Sequence, residues 1–197
     1  KMSSQRGLWS SYVEHDLIPR LNGFEILMAP YTVCHLKIEM LLSQLGYHPQ
    51  DPNNPPRLRV FLTNSLGEVH EETGTFFAKW LSEEASGANT IKKDAPIMVV
   101  LGNPPYSVSS ANKGDWIGRL MEAYKEGLEE RNMQPLSDDY VKFIRYGQHY
   151  IERNGEGILA YISNNSFIDG VIHRQMRKIL METFDEIYIL NLHGDAR

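Results

Sequence analysis

The sequence predicts an α/β fold built on a doubly wound, mostly parallel sheet. Two observations carry that prediction. Short apolar runs alternate with longer segments of helical periodicity, and this order gives parallel strands covered by helices. The polar residues also gather where the strands end: Asn64, Asn103, residues 163–167 and residues 191–195 each follow an apolar run. One rim of the sheet is therefore expected to hold them, at the carboxyl ends of strands where open α/β sheets bind ligands.

Taken in order, Leu8, Val13, Leu17 and Ile18 fall on one face of an amphipathic helix over 7–20, broken by Asn22-Gly23. Residues 24–28 read as a short strand with Glu25 at its heart, and Pro30 opens a helix in the first-turn position. Val33, Leu36, Met40, Leu41 and Leu45 give that helix an apolar stripe, and Gly46 ends it. Residues 48–56, with four prolines among Asn and Asp, are a loop by composition. A strand is expected over 58–62 and a helix over 75–84. A Ser/Gly/Asn loop and the pair Lys92-Lys93 then lead to a strand over 97–101.

That strand discharges into Asn103-Pro104-Pro105-Tyr106. Two prolines fix φ and remove two backbone donors, so the chain leaves the strand stiff and extended. The stretch presents one amide, free carbonyls and one aromatic face. Such a set suits a planar amine awaiting methylation: Asn103 and the Pro104 carbonyl accept its N–H groups and Tyr106 stacks on its ring. By itself the tetrapeptide reads equally well as a proline-rich turn. Residues 107–114 bury little and read as a mobile loop over the site. Helices follow over 116–130 and 138–153, the second capped by Ser137, then a strand over 158–162, a basic helix over 171–183 and a last strand over 186–190.

Composition bounds the function. The chain has 197 residues, 42% hydrophobic and 23% charged, the makeup of one soluble globular domain. Its longest apolar run falls well short of the roughly 20 residues that span a bilayer, so no membrane partner is expected. A single cysteine, Cys34, excludes an internal disulfide and a cysteine-cluster metal site, and it fits a reducing cytoplasm. No metal role falls to Cys34 or its neighbour His35. A net charge of −5 argues against a nucleic-acid-coating module and leaves room for a local basic patch, for which His173, Arg174, Arg177 and Lys178 are candidates against a plain solvated face.

Other candidates each carry two readings. Glu25 is either a ribose-binding carboxylate or a partly exposed glutamate on a short strand. Asn64 either meets an adenine edge or forms a turn. Phe167 either joins Tyr106 about a flipped base or belongs to the core.

Together and in this order, Gly23-Phe24-Glu25, Leu62-Thr63-Asn64-Ser65-Leu66, Gly102-Asn103-Pro104-Pro105-Tyr106, residues 158–167 and residues 187–194 resemble the catalytic domain of S-adenosylmethionine-dependent N6-adenine DNA methyltransferases of the gamma arrangement. The large single-chain type ISP restriction-modification enzymes are the nearest in look. The resemblance implies the class I, Rossmann-like methyltransferase sheet, with S-adenosyl-L-methionine as cofactor and double-stranded DNA with a flipped adenine as substrate. It also implies nuclease, helicase and target-recognition domains in the same parent chain. It assigns Glu25 to the cofactor ribose and Ile26 to its adenine, with Asn64, Leu66 and Asn103 completing the cofactor set. Asn103, Pro104, Pro105 and Tyr106 become catalytic, and Tyr106, Phe167, Asn191 and His193 line the target base. Asn64 stands where the family often has Asp.

Against the family pattern, the glycine-rich cofactor turn is missing from residues 1–22, where Gly7 is the only glycine. The expectation is a partial methyltransferase domain over 1–197, lacking its first strand and its recognition domain. The same tetrapeptide also serves methylation of a protein glutamine or an RNA base. A non-catalytic scaffold is the remaining alternative.

Overall fold

A computed structural model describes residues 6–67, 76–107 and 110–192. The chain divides into two compact units, residues 1–65 with 69–95 and residues 66–68 with 96–197.

The first unit opens with α1 (Arg6–Tyr12), a π-helical turn over Val13–Leu17 and α2 (Ile18–Arg20). The expected helix is thus continuous but widened in its middle. Val13 and Ile18 are buried with Leu42 and Leu58, while Leu8 faces outward. Strand β1 (Asn22–Glu25) pairs in parallel with β2 (Arg59–Leu62), Asn22 opposite Arg59 and Glu25 opposite Leu62. Glu25 therefore ends its strand instead of sitting at the heart of one, because residues 26 and 27 turn into α3 (Met28–Gln44). The α3 stripe expected to be core is largely exposed. Val33, Leu36, Met40, Leu41 and Leu45 face out, and Leu42 is the residue of this helix that is buried.

Helix α4 (Phe76–Asp94) runs ten residues past its expected end and absorbs the Ser/Gly/Asn stretch. Packing overrides composition there. Ala88 and Ile91 are buried, and a Cβ on Gly87 would lie 2.3 Å from Phe61 Cε1, so only glycine lets the helix meet β2 this closely. Buried Glu84 ties the two together, its Oε2 accepting from the Leu62 amide at 3.0 Å and its Oε1 from the Arg57 guanidinium.

In the second unit β3 (Val99–Gly102) pairs in parallel with β4 (Ile158–Tyr161). The described strands thus form two parallel pairs, one in each unit. A two-stranded ribbon is marginal alone, so β3–β4 leans on α6 (Asp139–Asn154), which lies so close that a Cβ on Gly147 would be 2.4 Å from Leu159 Cδ1. Helices α5 (Asp115–Lys125) and α7 (Arg174–Thr183) complete the core with α6 around Met121, Tyr124, Tyr140, Ile144 and Met176. Two short 3₁₀ turns, Gln134–Ser137 and Val171–His173, lead into α6 and α7. Asp138, not Ser137, caps α6 through the Tyr140 amide.

Residues 186–190 form no strand. Ile187, Tyr188, Ile189 and Leu190 are exposed, and no neighbouring strand among the described residues supplies the N–H and C=O groups that a ladder needs. No helix among the described residues is long and apolar enough to cross a membrane.

Candidate active site

The second unit holds the strand-end loop. The β3–β4 ladder continues to its last rung, Ile162 N–H donating to Gly102 O at 3.0 Å. Two residues later the first of the two prolines takes the chain out of the sheet. Pro104 is buried and anchors the turn, whereas Asn103 and Tyr106 are exposed, the tyrosine to 53%. The Asn103 amide makes no hydrogen bond among the described residues, so its oxygen is available to a ligand. The Tyr106 ring leans edge-on against Tyr140, centroids 6.3 Å apart, and Tyr140 in turn meets Phe167 at 6.4 Å. The structure thus brings Tyr106 and Phe167 to one buried ring, with Phe167 itself partly buried. Asn191 lies beside the loop after β4, its Oδ1 accepting from Asn165 Nδ2 at 3.4 Å. His193 lies outside the described residues.

Several described residues of the loop after Tyr106 are hydrogen-bonded to α6. Among its described residues, Ser107 N–H donates to Asp138 Oδ1 at 2.8 Å and Ser107 O accepts from the Asp139 amide at 3.3 Å. Ser110 Oγ donates to Asp139 Oδ1 at 2.5 Å and Asn112 Nδ2 to the same oxygen at 2.9 Å. Lys142 Nζ donates to Ser110 Oγ at 2.7 Å and to the Asn112 carbonyl at 2.5 Å. Asp138, Asp139 and Lys142 are all buried. Burial pushes the Lys142 ammonium below its ordinary range, while Asp139 opposes that shift and Lys113 and Lys125 add to it. Sequence reading passed over this trio. Its signal was three ionisable residues at the cap and first turn of a helix that continues with Phe143, Ile144 and Tyr146.

The first unit holds the other strand ends. Glu25 Oε1 accepts from the Ile26 and Leu27 amides, both at 2.9 Å, which fixes the carboxylate at the end of β1. Its second oxygen accepts no hydrogen bond among the described residues. Ile26 is exposed beside it. After β2 the Asn64 carbonyl accepts from Lys92 Nζ at 2.7 Å, and the same ammonium lies 5.4 Å from the Phe24 ring. Burial lowers the Lys92 pKa to about 8.

Leu66 is 1% exposed and packs its side chain in the core of the second unit. The basic face on α7 is spent on the protein itself. His173 is buried, Arg174 is clamped by both oxygens of Glu130, and Arg177 Nη1 donates to the carbonyls of Phe167 (2.9 Å) and Gly170 (2.7 Å). Lys178 lies 3.9 Å from Glu182. Guanidinium groups held by carbonyls and a carboxylate are not presented to phosphates.

Parallel strand pairs, helices packed on them and polar loops at the strand carboxyl ends make this a mixed α/β protein. Residues 36–196 match the Eco57I restriction-modification methylase family, and the chain belongs to that family. Three solved structures share the fold. A nuclease-deletion mutant of the type ISP restriction-modification enzyme LlaGI, in complex with a DNA substrate mimic, aligns at 20% identity with a TM-score of 0.69 over 88% of this chain. The ATP-dependent type ISP enzyme LlaBIII bound to DNA aligns at 24% identity and 0.64 over 82%, and DrdV in its DNA complex at 25% and 0.66 over 89%. The chain spans 16%, 11% and 17% of those proteins, respectively. A comparison with curated protein sequences finds no match.

Proposed function

We propose that this chain carries out S-adenosylmethionine-dependent methylation of the adenine N6 amino group in DNA, as the modification part of a cytoplasmic restriction-modification enzyme. The observation that carries the reading is Asn103-Pro104-Pro105-Tyr106 at the end of β3, with a free amide, a rigid turn and a half-exposed ring side by side. Membership in a restriction-modification methylase family supports it.

In this reading Asn103 Oδ1 and the Pro104 carbonyl accept the two N–H bonds of a flipped adenine, and Tyr106 stacks on its ring. Accepting both protons concentrates the nitrogen lone pair away from the ring and aims it for in-line attack. Pro105 keeps the turn from relaxing, and Phe167 and Asn191 border the base. The cofactor supplies an electrophilic methyl group when bound. Glu25 fits its ribose: one carboxylate oxygen is fixed by two backbone amides and the other is left to accept from a diol. Ile26 offers an apolar surface for its adenine, and Asn64 an amide. Nuclease, helicase and target-recognition segments belong to the same proposal, by analogy with the multidomain relatives.

The test uses the full-length gene product, S-adenosylmethionine binding by calorimetry and transfer of a tritiated methyl group to unmethylated phage DNA. Asn103→Ala is expected to lower the transfer rate by about 10²- to 10³-fold, the scale of removing a preorganised polar group from a reacting centre, a larger loss than its effect on cofactor affinity. Cofactor binding without transfer by the wild type would leave a scaffold. Transfer surviving in Asn103→Ala would refute the role given to the loop.

A further inference from the structure

The proposed site leaves unexplained why the first turn of α6 buries two carboxylates and an ammonium against a polar loop. Burying charge is costly unless every group is paired, and here each is paired with the segment that follows Tyr106. Asp138 and the Asp139 amide grip Ser107 from both sides of its peptide, one accepting its N–H and the other donating to its carbonyl. Asp139 and Lys142 close on Ser110 and Asn112. Between these grips, Tyr140 offers one ring to both Tyr106 and Phe167, and its hydroxyl lies 3.4 Å from His173 Nε2.

We infer that the first turn of α6 is the positioning element of the site, with Asp138 fixing the backbone behind Tyr106 and Tyr140 setting the ring planes of Tyr106 and Phe167. The inference deepens the methyltransferase reading and rests on it. Neither residue touches the reacting atoms. Asp138 and Tyr140 lie more than thirty residues from Tyr106 in sequence, so the hold is tertiary. It is also directional. A ring packed only by dispersion slides at little expense, whereas a ring whose following residue is bonded at both its N–H and its C=O keeps its height and tilt. Burial, and then the Asp138 carboxylate, raises the Tyr140 phenol. Burial, and then the Arg177 guanidinium, lowers the His173 imidazole against the opposing pull of Asp138, so the two rings meet as neutral groups. A fixed backing suits a base that must stack in one plane.

The test compares four variants in the full-length gene product, reading kcat, the KM for S-adenosylmethionine and the melting temperature. Asp138→Ala and Tyr140→Leu are expected to lower kcat by about 10- to 100-fold, the effect of misplacing a reactant by an ångström, with the cofactor KM within about twofold. Asp138→Asn keeps an acceptor oxygen and Tyr140→Phe keeps the ring, and both are expected to restore kcat to within about threefold of wild type. Since Tyr140 is buried, the Asp138 pair decides the matter if Tyr140→Leu does not fold. Wild-type kcat in Asp138→Ala, or a loss matched by its folded fraction, or a loss shared equally by Asp138→Asn, would each overturn the inference. A wild-type protein that binds cofactor but transfers nothing would instead sink the methyltransferase reading, and the positioning role with it.

Discussion

Gly147 lets α6 approach the β3–β4 pair, and Gly147→Ala sets two known effects against each other. In a helix interior alanine is favoured over glycine by about 1 kcal/mol. A Cβ at this position would lie 2.4 Å from Leu159 Cδ1, 3.2 Å from the Tyr161 hydroxyl and 3.3 Å from Val100 Cγ1. The leucine methyl alone could swing aside. With the other two neighbours also tight, part of the strain stays, and overpacking of a filled site costs about 1–3 kcal/mol. The net expectation is a loss of about 1 kcal/mol. Gly118 in α5 supplies the control, because nothing lies within 4 Å of its Cβ position. It borders a cavity of about 120 Å³ lined in part by Lys113, Lys125 and Lys142. Gly118→Ala is therefore expected to gain up to about 1 kcal/mol from helix propensity alone. Urea denaturation of both variants, followed by tryptophan fluorescence with the slope m unchanged, should separate their stabilities by about 2 kcal/mol. Equal stabilisation of the two would refute the argument that packing at Gly147 outweighs propensity.

Lys92 makes stability depend on pH. Its folded pKa of about 8 lies below its ordinary 10.5, so between those values the unfolded chain holds a proton that the folded chain has released. Stability contributed by this group rises with pH across that window by about 3 kcal/mol in total, and contributes no slope below it. Lys92→Met should flatten the rise; an identical slope in wild type and variant over pH 8–10 would show that another group titrates. Glu84→Ala strands the Leu62 amide and one side of Arg57. Because the arginine is half-exposed and can turn to water, the expected loss is about 2 kcal/mol, near the value for one buried donor left unsatisfied, measurable as a shift in the urea midpoint.

Local chemistry was legible from residue order. The Ile97–Leu101 run and the prolines after it placed a strand and a rigid exit near their true positions, β3 beginning two residues later than its apolar run. Parallel pairing, the 158–161 strand and most helix locations follow from periodicity, which reports the environment of each face. The Asn103–Tyr106 loop belongs to this class, since proline fixes φ whatever surrounds it.

Tertiary structure decided the rest. Helix α4 continues through Ser86, Gly87 and Asn89 because Phe61 and the core receive Gly87, Ala88 and Ile91, a contact no local rule contains. The α3 stripe and residues 187–190 read as core and strand, yet both are exposed, since an apolar pattern says what a segment can bury and not whether a partner is there. Leu66 packs its side chain in the core for the same kind of reason, and Glu130 and the carbonyls of Phe167 and Gly170 hold Arg174 and Arg177. The clasp of Asp138, Asp139 and Lys142 on Ser107, Ser110 and Asn112 joins positions about thirty residues apart, and only folding brings those charges together. Sequence by itself determined which groups the chain offers at its strand ends, because backbone stiffness and side-chain chemistry are local. Tertiary structure alone decided which of those groups stay free for a ligand, because hydrogen-bond partners and burial are not.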